Sequence, residues 1–257
     1  MNDRTPVRLA IAGALVRMGQ AVARTAQGRD DVRVAARFDR EPAGDLASRD
    51  DALAQVDAVI DFTGAGASAD LVAHCAGLAR APVLIIGSTG FSPEQEAAIR
   101  ADQARGGLVI VKAGNFSLGV NMLMGLVRQA AAALPARDWD IEVFEAHHRR
   151  KLDAPSGTAL MLGRAAAEGR GVTLPDTIRA DRNGARTSGE IGFSVLRGGG
   201  VIGEHSVVFA GEEEVLTLSH SATDRGLFAR GALAAALWAH GRPPGLYDMQ
   251  DVLGFGA

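Results

Sequence analysis

The stretch Val7-Arg-Leu-Ala-Ile-Ala-Gly13-Ala-Leu-Val-Arg-Met-Gly19 decides the fold. Its first six residues form a short, nearly continuous apolar run. Gly13 interrupts that run, and Ala14 to Gln27 then carries helix formers such as Ala, Arg, Met and Gln. A brief apolar run bounded by glycine reads as a buried strand, and the segment after it as a helix.

The same unit recurs outward from there. Val32 to Phe38 ends at Asp39-Arg40, and Ala58 to Phe62 ends at Thr63-Gly64. Val83 to Ile86 ends at Gly87-Ser88-Thr89-Gly90, and Leu108 to Val111 at Gly114-Asn115-Phe116. Ser68 to Arg80 reads as a helix, and Ser92-Pro93-Glu94-Gln95 as a helix start with Pro93 at the first helical position. Strands that alternate with helices and are apolar throughout predict a doubly wound, Rossmann-like parallel sheet covered on both faces. Such α/β sheets bind ligands at the carboxyl ends of their strands, where the polar and glycine residues stand here.

After about residue 116 the pattern changes. Gly119 to Leu134 predicts a long helix, Trp139 to Phe144 a strand, and Gly157 to Glu168 another helix. From Gly189 to Leu218, the alternation of Ile191, Phe193 and Val195, then Val207, Phe209, Val215 and Leu216, predicts antiparallel strands joined by glycine turns. This is a second, α+β domain. Asp224 to His240 predicts a last helix, ended by Pro243-Pro244-Gly245.

Composition narrows the function. The chain has 257 residues, 47% hydrophobic and 22% charged, which suits an ordinary globular protein. A net charge of -3 and only 5% aromatics argue against nucleic acid or an anionic membrane as partner. The single cysteine, Cys75, excludes an intrachain disulfide and a thiolate metal cluster. Met1 to Arg8 is polar and lacks the apolar region of a signal peptide, so a cytoplasmic location is expected.

Gly13 and Gly19 flank a strand-to-helix turn of the kind that lets a pyrophosphate approach a helix N-terminus. The spacing is Gly-x5-Gly, with Val16 where a middle glycine is expected, so an ordinary βα turn is the competing reading. Asp39 follows 20 residues after Gly19, at the end of the second strand, placed to bond a ribose 2′-hydroxyl. Arg40 suits a 2′-phosphate instead. Both NADH and NADPH therefore stay open as cofactors, as does a plain surface ion pair.

Glu145-Ala-His-His-Arg-Arg-Lys-Leu-Asp-Ala-Pro-Ser-Gly-Thr158 holds five consecutive basic or imidazole residues, in a chain with six histidines. A charge run is usually a solvated face. Here Pro155 forces Ala154 to be extended, and Ser156 is a good N-cap for the helix that follows. Cations beside the N–H groups of Ser156, Gly157 and Thr158 make a carboxylate site, with histidine and lysine as proton donors.

That segment closely resembles the signature of the 4-hydroxy-tetrahydrodipicolinate reductases, the dihydrodipicolinate reductases of bacterial lysine and diaminopimelate biosynthesis. Further matches stand in family order: Ile60-Asp-Phe-Thr63, Gly87-Ser-Thr-Gly-Phe91, Asn115 to Asn121, Ile191-Gly-Phe193, Gly203-Glu-His205 and Leu246-Tyr-Asp-Met249. The resemblance covers nearly the whole chain. It implies His147 as proton donor or acceptor and Lys151 as proton donor to the reduced ring, with no metal. His148, Ser156, Gly157 and Thr158 would hold the carboxylates of a small dicarboxylate substrate.

NADH or NADPH would contact Gly13, Ala14, Leu15, Val16, Arg17, Met18, Asp39, Arg40, Phe62 and Thr63. Gly87, Ser88, Thr89, Ala113, Gly114, Asn115 and Phe116 would add further contacts. The resemblance also implies a dinucleotide-binding domain of residues 1–116 plus 222–257, and a substrate-binding and oligomerisation domain of residues 117–221. The assembly it implies is a homotetramer. Departures are Val16 for glycine, Arg150 for histidine and Ser88 for threonine. Two other readings compete: a non-catalytic nucleotide binder whose turn is impaired by Val16, and a different reductase such as an amino-acid dehydrogenase.

Overall fold

The computed structural model describes residues 5–40, 44–174, 178–179, 183–224 and 226–256. Residues 1–4 of the polar N-terminal stretch, and Arg225 of the predicted last helix, lie outside the described residues. The chain folds into two units, Met1–Leu118 with Gly226–Ala257, and Gly119–Arg225.

The first unit begins with β1 (Val7–Ala12), α1 (Arg17–Ala26), β2 (Val32–Phe38), α2 (Arg49–Ala54) and β3 (Ala58–Asp61). It continues through α3 (Ala65–Cys75), β4 (Val83–Ile86), α4 (Pro93–Gly106) and β5 (Val109–Lys112). The second unit contains α5 (Leu118–Ala133) apart from its first residue, then β6 (Asp140–His147), α6 (Gly157–Gly169) and β7 (Ile178–Arg179). β8 (Ile191–Arg197), β9 (Glu204–Ala210) and β10 (Val215–Ser221) complete it. The chain then returns to the first unit with α7 (Gly226–Ala239), β11 (Gly245–Tyr247) and α8 (Met249–Val252).

The first sheet runs β11-β5-β4-β3-β1-β2, and every pair is parallel. Leu9, Ile11, Ile60 and Ile85 point into one apolar cluster with residues of α1 and α7. Ala10, Val59, Leu84 and Ile86 point into a second with residues of α2, α3 and α4. Each fully buried Leu or Ile contributes about 1.5–3 kcal/mol, so both faces must be covered, as the unbroken apolar strands predict. Local signals set the helix ends. Ser92 and Gln95 form a reciprocal capping box ahead of Pro93, and α4 stops at Gly107 with φ +58°.

The second sheet, β10-β9-β6-β8-β7, corrects one expectation. β9 pairs antiparallel with both β6 and β10, but β8 pairs parallel with β6 and does not touch β9. The chain passes through α6 between β6 and β8, a crossover that brings β8 back in the same direction. Residues 198–203 then carry the chain past the end of β6 to its other side. Alternating apolar residues report a covered face and say nothing of strand direction. Ile141, Val143, Phe193, Val207 and Phe209 form that face, packed on α5 and α6.

Candidate active site

In the first unit the turn after β1 is made of backbone. Gly13 adopts φ +74°, and its N–H and that of Ala14 both donate to the Phe38 carbonyl, at 3.1 and 3.2 Å. Gly19 packs so tightly that a Cβ there would stand 2.1 Å from the Gly13 oxygen. Asp39 holds the turn from the side: Oδ2 accepts from the Leu15 N–H at 3.0 Å and Oδ1 from the Arg40 N–H at 2.8 Å. The N-cap of α1 is Val16, in extended backbone with φ −76°, and it makes no side-chain cap. The first-turn N–H groups of α1 therefore lack a side-chain acceptor at the positive end of the helix.

A cleft of about 1150 Å3 lies beside this turn. Gly13, Leu15, Val16, Asp39, Arg40 and Thr63 line it. So do Ser48, Arg49, Asp50 and the Gly64–Ala67 start of α3, of which the sequence marks only Gly64, as a strand-end glycine. Ala14, Arg17, Met18, Phe62, Gly87, Ser88, Thr89, Ala113, Gly114, Asn115 and Phe116 are not among the lining residues.

Several of those residues have partners within the fold. Phe116 is buried and meets Phe62 edge to face at 5.9 Å. Asn115 Oδ1 accepts from the Ser117 N–H at 2.8 Å. The Ser88 hydroxyl is hydrogen-bonded to Ser68, whose Oγ also donates to Asp61 Oδ2 at 2.5 Å. Thr63 donates to Asp61 through its N–H and its hydroxyl, at 2.8 and 2.6 Å. Burial pushes the Asp61 carboxyl above its ordinary value. This buried network fixes the ends of β3 and β4 behind the cleft.

In the second unit β6 runs three residues beyond the predicted Phe144, so Glu145 and His147 are strand residues on one face. The covered face changes character at that end, from Ile141 and Val143 to Glu145 and His147. Glu145 is fully buried. Its Oε2 lies 2.5 Å from His147 Nδ1 and accepts from Arg197 at 2.7 Å. Its Oε1 accepts from Arg197 at 2.7 Å and from the Ser156 N–H at 2.9 Å. Burial raises the Glu145 carboxyl, but the bonds from Arg197, His147 and Ser156 outweigh it and hold the group below its ordinary value.

Ser156 caps α6 as predicted, its hydroxyl accepting from the Ala159 N–H at 3.1 Å. The same hydroxyl lies 3.2 Å from Nε2 of His205, a buried side chain whose ring meets His147 edge to face at 5.1 Å. Desolvation, then the neighbouring His147, pushes His205 down to about 4. Lys151 pairs with Asp153 at 2.8 Å, and Asp153 also takes the Gly157 N–H. Lys151 and the Asp153 carboxylate thus meet at the first turn of α6. A Cβ at Gly157 would touch nothing within 4 Å, so that turn is open. Thr158 is half-buried in it, and His148 is half-buried just after β6 with Nδ1 unpartnered among the described residues. Arg149 and Arg150 are exposed.

The arrangement brings a histidine, a lysine and a helix N-terminus together at one end of β6. Sequence reasoning gives no role to Glu145, Asp153, Arg197 or His205. Glu145 and Asp153 stand inside the quoted segment, and His205 inside a matched motif. Arg197 carries no signal, because only the β6–β8 register sets it opposite His147.

Family models described as dihydrodipicolinate reductase, N-terminus and C-terminus, match residues 7–116 and 119–253. The chain belongs to the dihydrodipicolinate reductase family. It is 66% identical over 255 residues to the 4-hydroxy-tetrahydrodipicolinate reductase of Caulobacter vibrioides, covering 97% of this chain and 98% of that one. The enzyme of the same name from Rhizobium meliloti is 50% identical, with 99% of each covered. A dipicolinate-bound dihydrodipicolinate reductase from Paenisporosarcina sp. TG-14 superposes with a TM-score of 0.80 at 25% identity, covering 96% of this chain and 98% of that one. The Rossmann-like parallel sheet with a second, mixed-sheet unit is thus the dihydrodipicolinate reductase fold.

Proposed function

We propose that this chain reduces 4-hydroxy-tetrahydrodipicolinate to tetrahydrodipicolinate, with loss of water, using NADH or NADPH, in diaminopimelate and lysine biosynthesis. One observation carries the reading. A buried, hydrogen-bonded histidine, a lysine and the capped start of α6 occupy one segment of a chain built on this family's plan.

The turn after β1 suits a dinucleotide. Its helix start lacks a side-chain cap, Gly13 presents bare backbone, and the adjoining cleft has room for an extended ligand. Residues Gly13 to Met18 would hold the pyrophosphate, and Asp39 or Arg40 the ribose edge. Phe62, Thr63, Gly87 to Thr89 and Ala113 to Phe116 complete the cofactor side in this proposal. Asp39 already spends one oxygen on the Leu15 N–H, so it shapes the turn as well as facing the sugar. The nicotinamide, when bound, supplies the hydride.

The chain's own residues do the rest. The N–H groups at the start of α6, Thr158 and His148 fix the two carboxylates, with Ser156 holding the helix start in place. Water leaves the 4-hydroxy ring as its hydroxyl gains a proton and the adjacent ring carbon loses one, a proton that His147 can take and return, and hydride addition to the resulting conjugated imine then puts negative charge on the ring. Lys151 quenches that charge by giving up a proton, which solvent restores. His147 exchanges the second proton. Cations aimed at charge that exists only during reaction stabilise the transition state more than the bound substrate.

The substrate class extends what is bound by the dipicolinate complex of the Paenisporosarcina relative. We further assign residues 1–116 and 222–257 to cofactor binding and 117–221 to substrate binding and assembly. Val195, Leu196, Val215 and Leu216 are exposed apolar residues of β8 and β10, which supports a homotetramer joined through the second unit. The reaction belongs in the cytoplasm with the rest of its pathway. Among the described residues no helix is long and apolar enough to cross a membrane. Mixing the protein with the synthase product and NADH or NADPH should oxidise the cofactor. No oxidation above the rate without protein would reject the proposal.

A further inference from the structure

We infer that Glu145 is the positioning residue for proton transfer: it holds His147 with Nδ1 protonated, so that Nε2 is the nitrogen that exchanges a proton with the substrate. The inference rests on the reductase reading and adds to it a residue that never touches substrate.

The geometry is over-determined. An ionised carboxylate accepts hydrogen bonds at about four lone-pair sites and donates none. Glu145 receives one from His147, two from Arg197 and one from the Ser156 N–H, all between 2.5 and 2.9 Å. A protonated Glu145 would add a hydroxyl donor where every neighbour is already a donor, so the group is a carboxylate. Facing that carboxylate, the His147 Nδ1 must carry hydrogen, and in the neutral ring Nε2 is then bare. The ring cannot turn over to exchange its nitrogens without leaving Glu145 one donor short in a fully buried site, a loss of the kind proteins rarely tolerate.

The other nitrogen has space. A Cβ at Gly203 would stand 3.1 Å from Nε2, so the glycine leaves that edge of the imidazole uncovered. Arg197 makes the arrangement durable. It sits opposite His147 in the β6–β8 register, clamps both oxygens of Glu145, and donates to the Asp153 carbonyl at 2.6 Å. The Ser156 N–H ties the same carboxylate to the start of α6. One buried group therefore fixes both the proton donor and the helix terminus beside it. This is the division of labour in which a carboxylate orients a histidine and does not itself take the proton.

The test begins with the unsubstituted full-length protein, labelled with 15N histidine and studied at a pH where the imidazole is neutral. The His147 signals are those missing from His147→Asn. A protonated Nδ1 and a bare Nε2 are expected; a neutral ring protonated mainly on Nε2 overturns the proposal whatever any variant does. Glu145→Gln, checked for native circular dichroism, should lose about 100-fold in kcat with KM within threefold, the size expected for misplacing one general acid or base. It should also mix the two tautomers. A folded Glu145→Gln that keeps kcat within threefold overturns the proposal too, and if that variant does not fold, the tautomer of the parent protein decides alone. Absence of turnover by the parent enzyme would instead strike the reductase reading, which the tautomer measurement does not depend on.

Discussion

The starts of α1 and α6, both assigned to an anion in the proposed function, are built in opposite ways. At α1 the cradle is backbone: a left-handed Gly13, a Gly19 pressed against its carbonyl, and a Val16 that offers no side-chain cap. At α6 the site is side chains: Ser156 caps the helix, Glu145 locks His147, and Lys151 stands at the first turn beside Asp153. A backbone cradle is damaged by adding atoms. A side-chain site is damaged by removing them.

The largest effect should come from removal. Lys151→Ala should lower kcat by at least about 100-fold, in the range typical of a lost proton donor, with the fold unchanged. The lysine's ion pair with the exposed Asp153 is a surface pair and adds little stability. Steady-state kinetics with circular dichroism check this, and equal rates for parent and variant would remove Lys151 from the mechanism.

Addition comes next. Gly19→Ala would force a methyl to within 2.1 Å of the Gly13 oxygen, backbone that has no slack. Overpacking of this kind costs about 1–3 kcal/mol, and here it also displaces the turn proposed to meet the pyrophosphate. Urea unfolding and cofactor calorimetry should both register it, whereas the affinity for a dicarboxylate analogue at α6 should hold.

Acid separates the two regions as well. His205 is pushed from 6.5 to about 4 in the native protein, so between those values the unfolded chain binds a proton that the native one refuses. Stability should fall as pH drops through that window, by up to about 3 kcal/mol from this group alone. Glu145, held below 4.5, adds a further loss only at lower pH. Asp61 behind the first cleft has the opposite sign, because burial raises its carboxyl and protonation relieves it. Denaturation midpoints across this range, compared between the parent and His205→Gln, measure the difference; an unchanged slope in the variant would clear His205 of the effect.

Asp153→Asn should act in the favourable direction. The Asp153 carboxylate takes Lys151 and the Gly157 N–H, groups assigned here to the substrate. Removing its charge should tighten binding of pyridine-2,6-dicarboxylate by about threefold to tenfold, the scale of one exposed ion pair at about 0.2–1 kcal/mol with some local helix-end gain. Weaker binding in calorimetry would show that Asp153 supports the site.

The contrast also explains what is legible in the sequence. The parallel sheet can be read because unbroken apolar strands leave no other way to be buried, and the glycine turn because its spacing is local. The cap at Ser156 is local too. Arg197 and His205 reach Glu145 and His147 only through strand register, and the alternation of Ile191 and Phe193 does not encode which strand lies next door. For the same reason the pattern predicts an antiparallel partner for β8, where the sheet supplies parallel β6. Phe116 and Asn115 read only as ligand contacts on a strand-end glycine loop, and the structure adds a packing role the sequence does not show: Phe116 is core and Asn115 closes a turn with Ser117.

Val16 is the smallest and most discriminating test of the backbone cradle. A β-branched residue replaces the glycine expected at the middle of the turn, so crowding of the pyrophosphate is the obvious concern. Its backbone, at φ −76° and ψ 158°, is extended and open to any residue, which removes conformational strain as a reason for glycine. Its side chain is exposed on the cleft wall and packs 3.4 Å from where a Gly13 Cβ would be, beside the turn. Val16→Gly should therefore change the affinity for NADH or NADPH by less than about threefold, while lowering folding stability by roughly 0.4–1 kcal/mol through a looser unfolded chain. A gain of tenfold or more by calorimetry would mean that the valine does obstruct the cofactor, and that the cradle at α1 tolerates added atoms no better at Val16 than at Gly19.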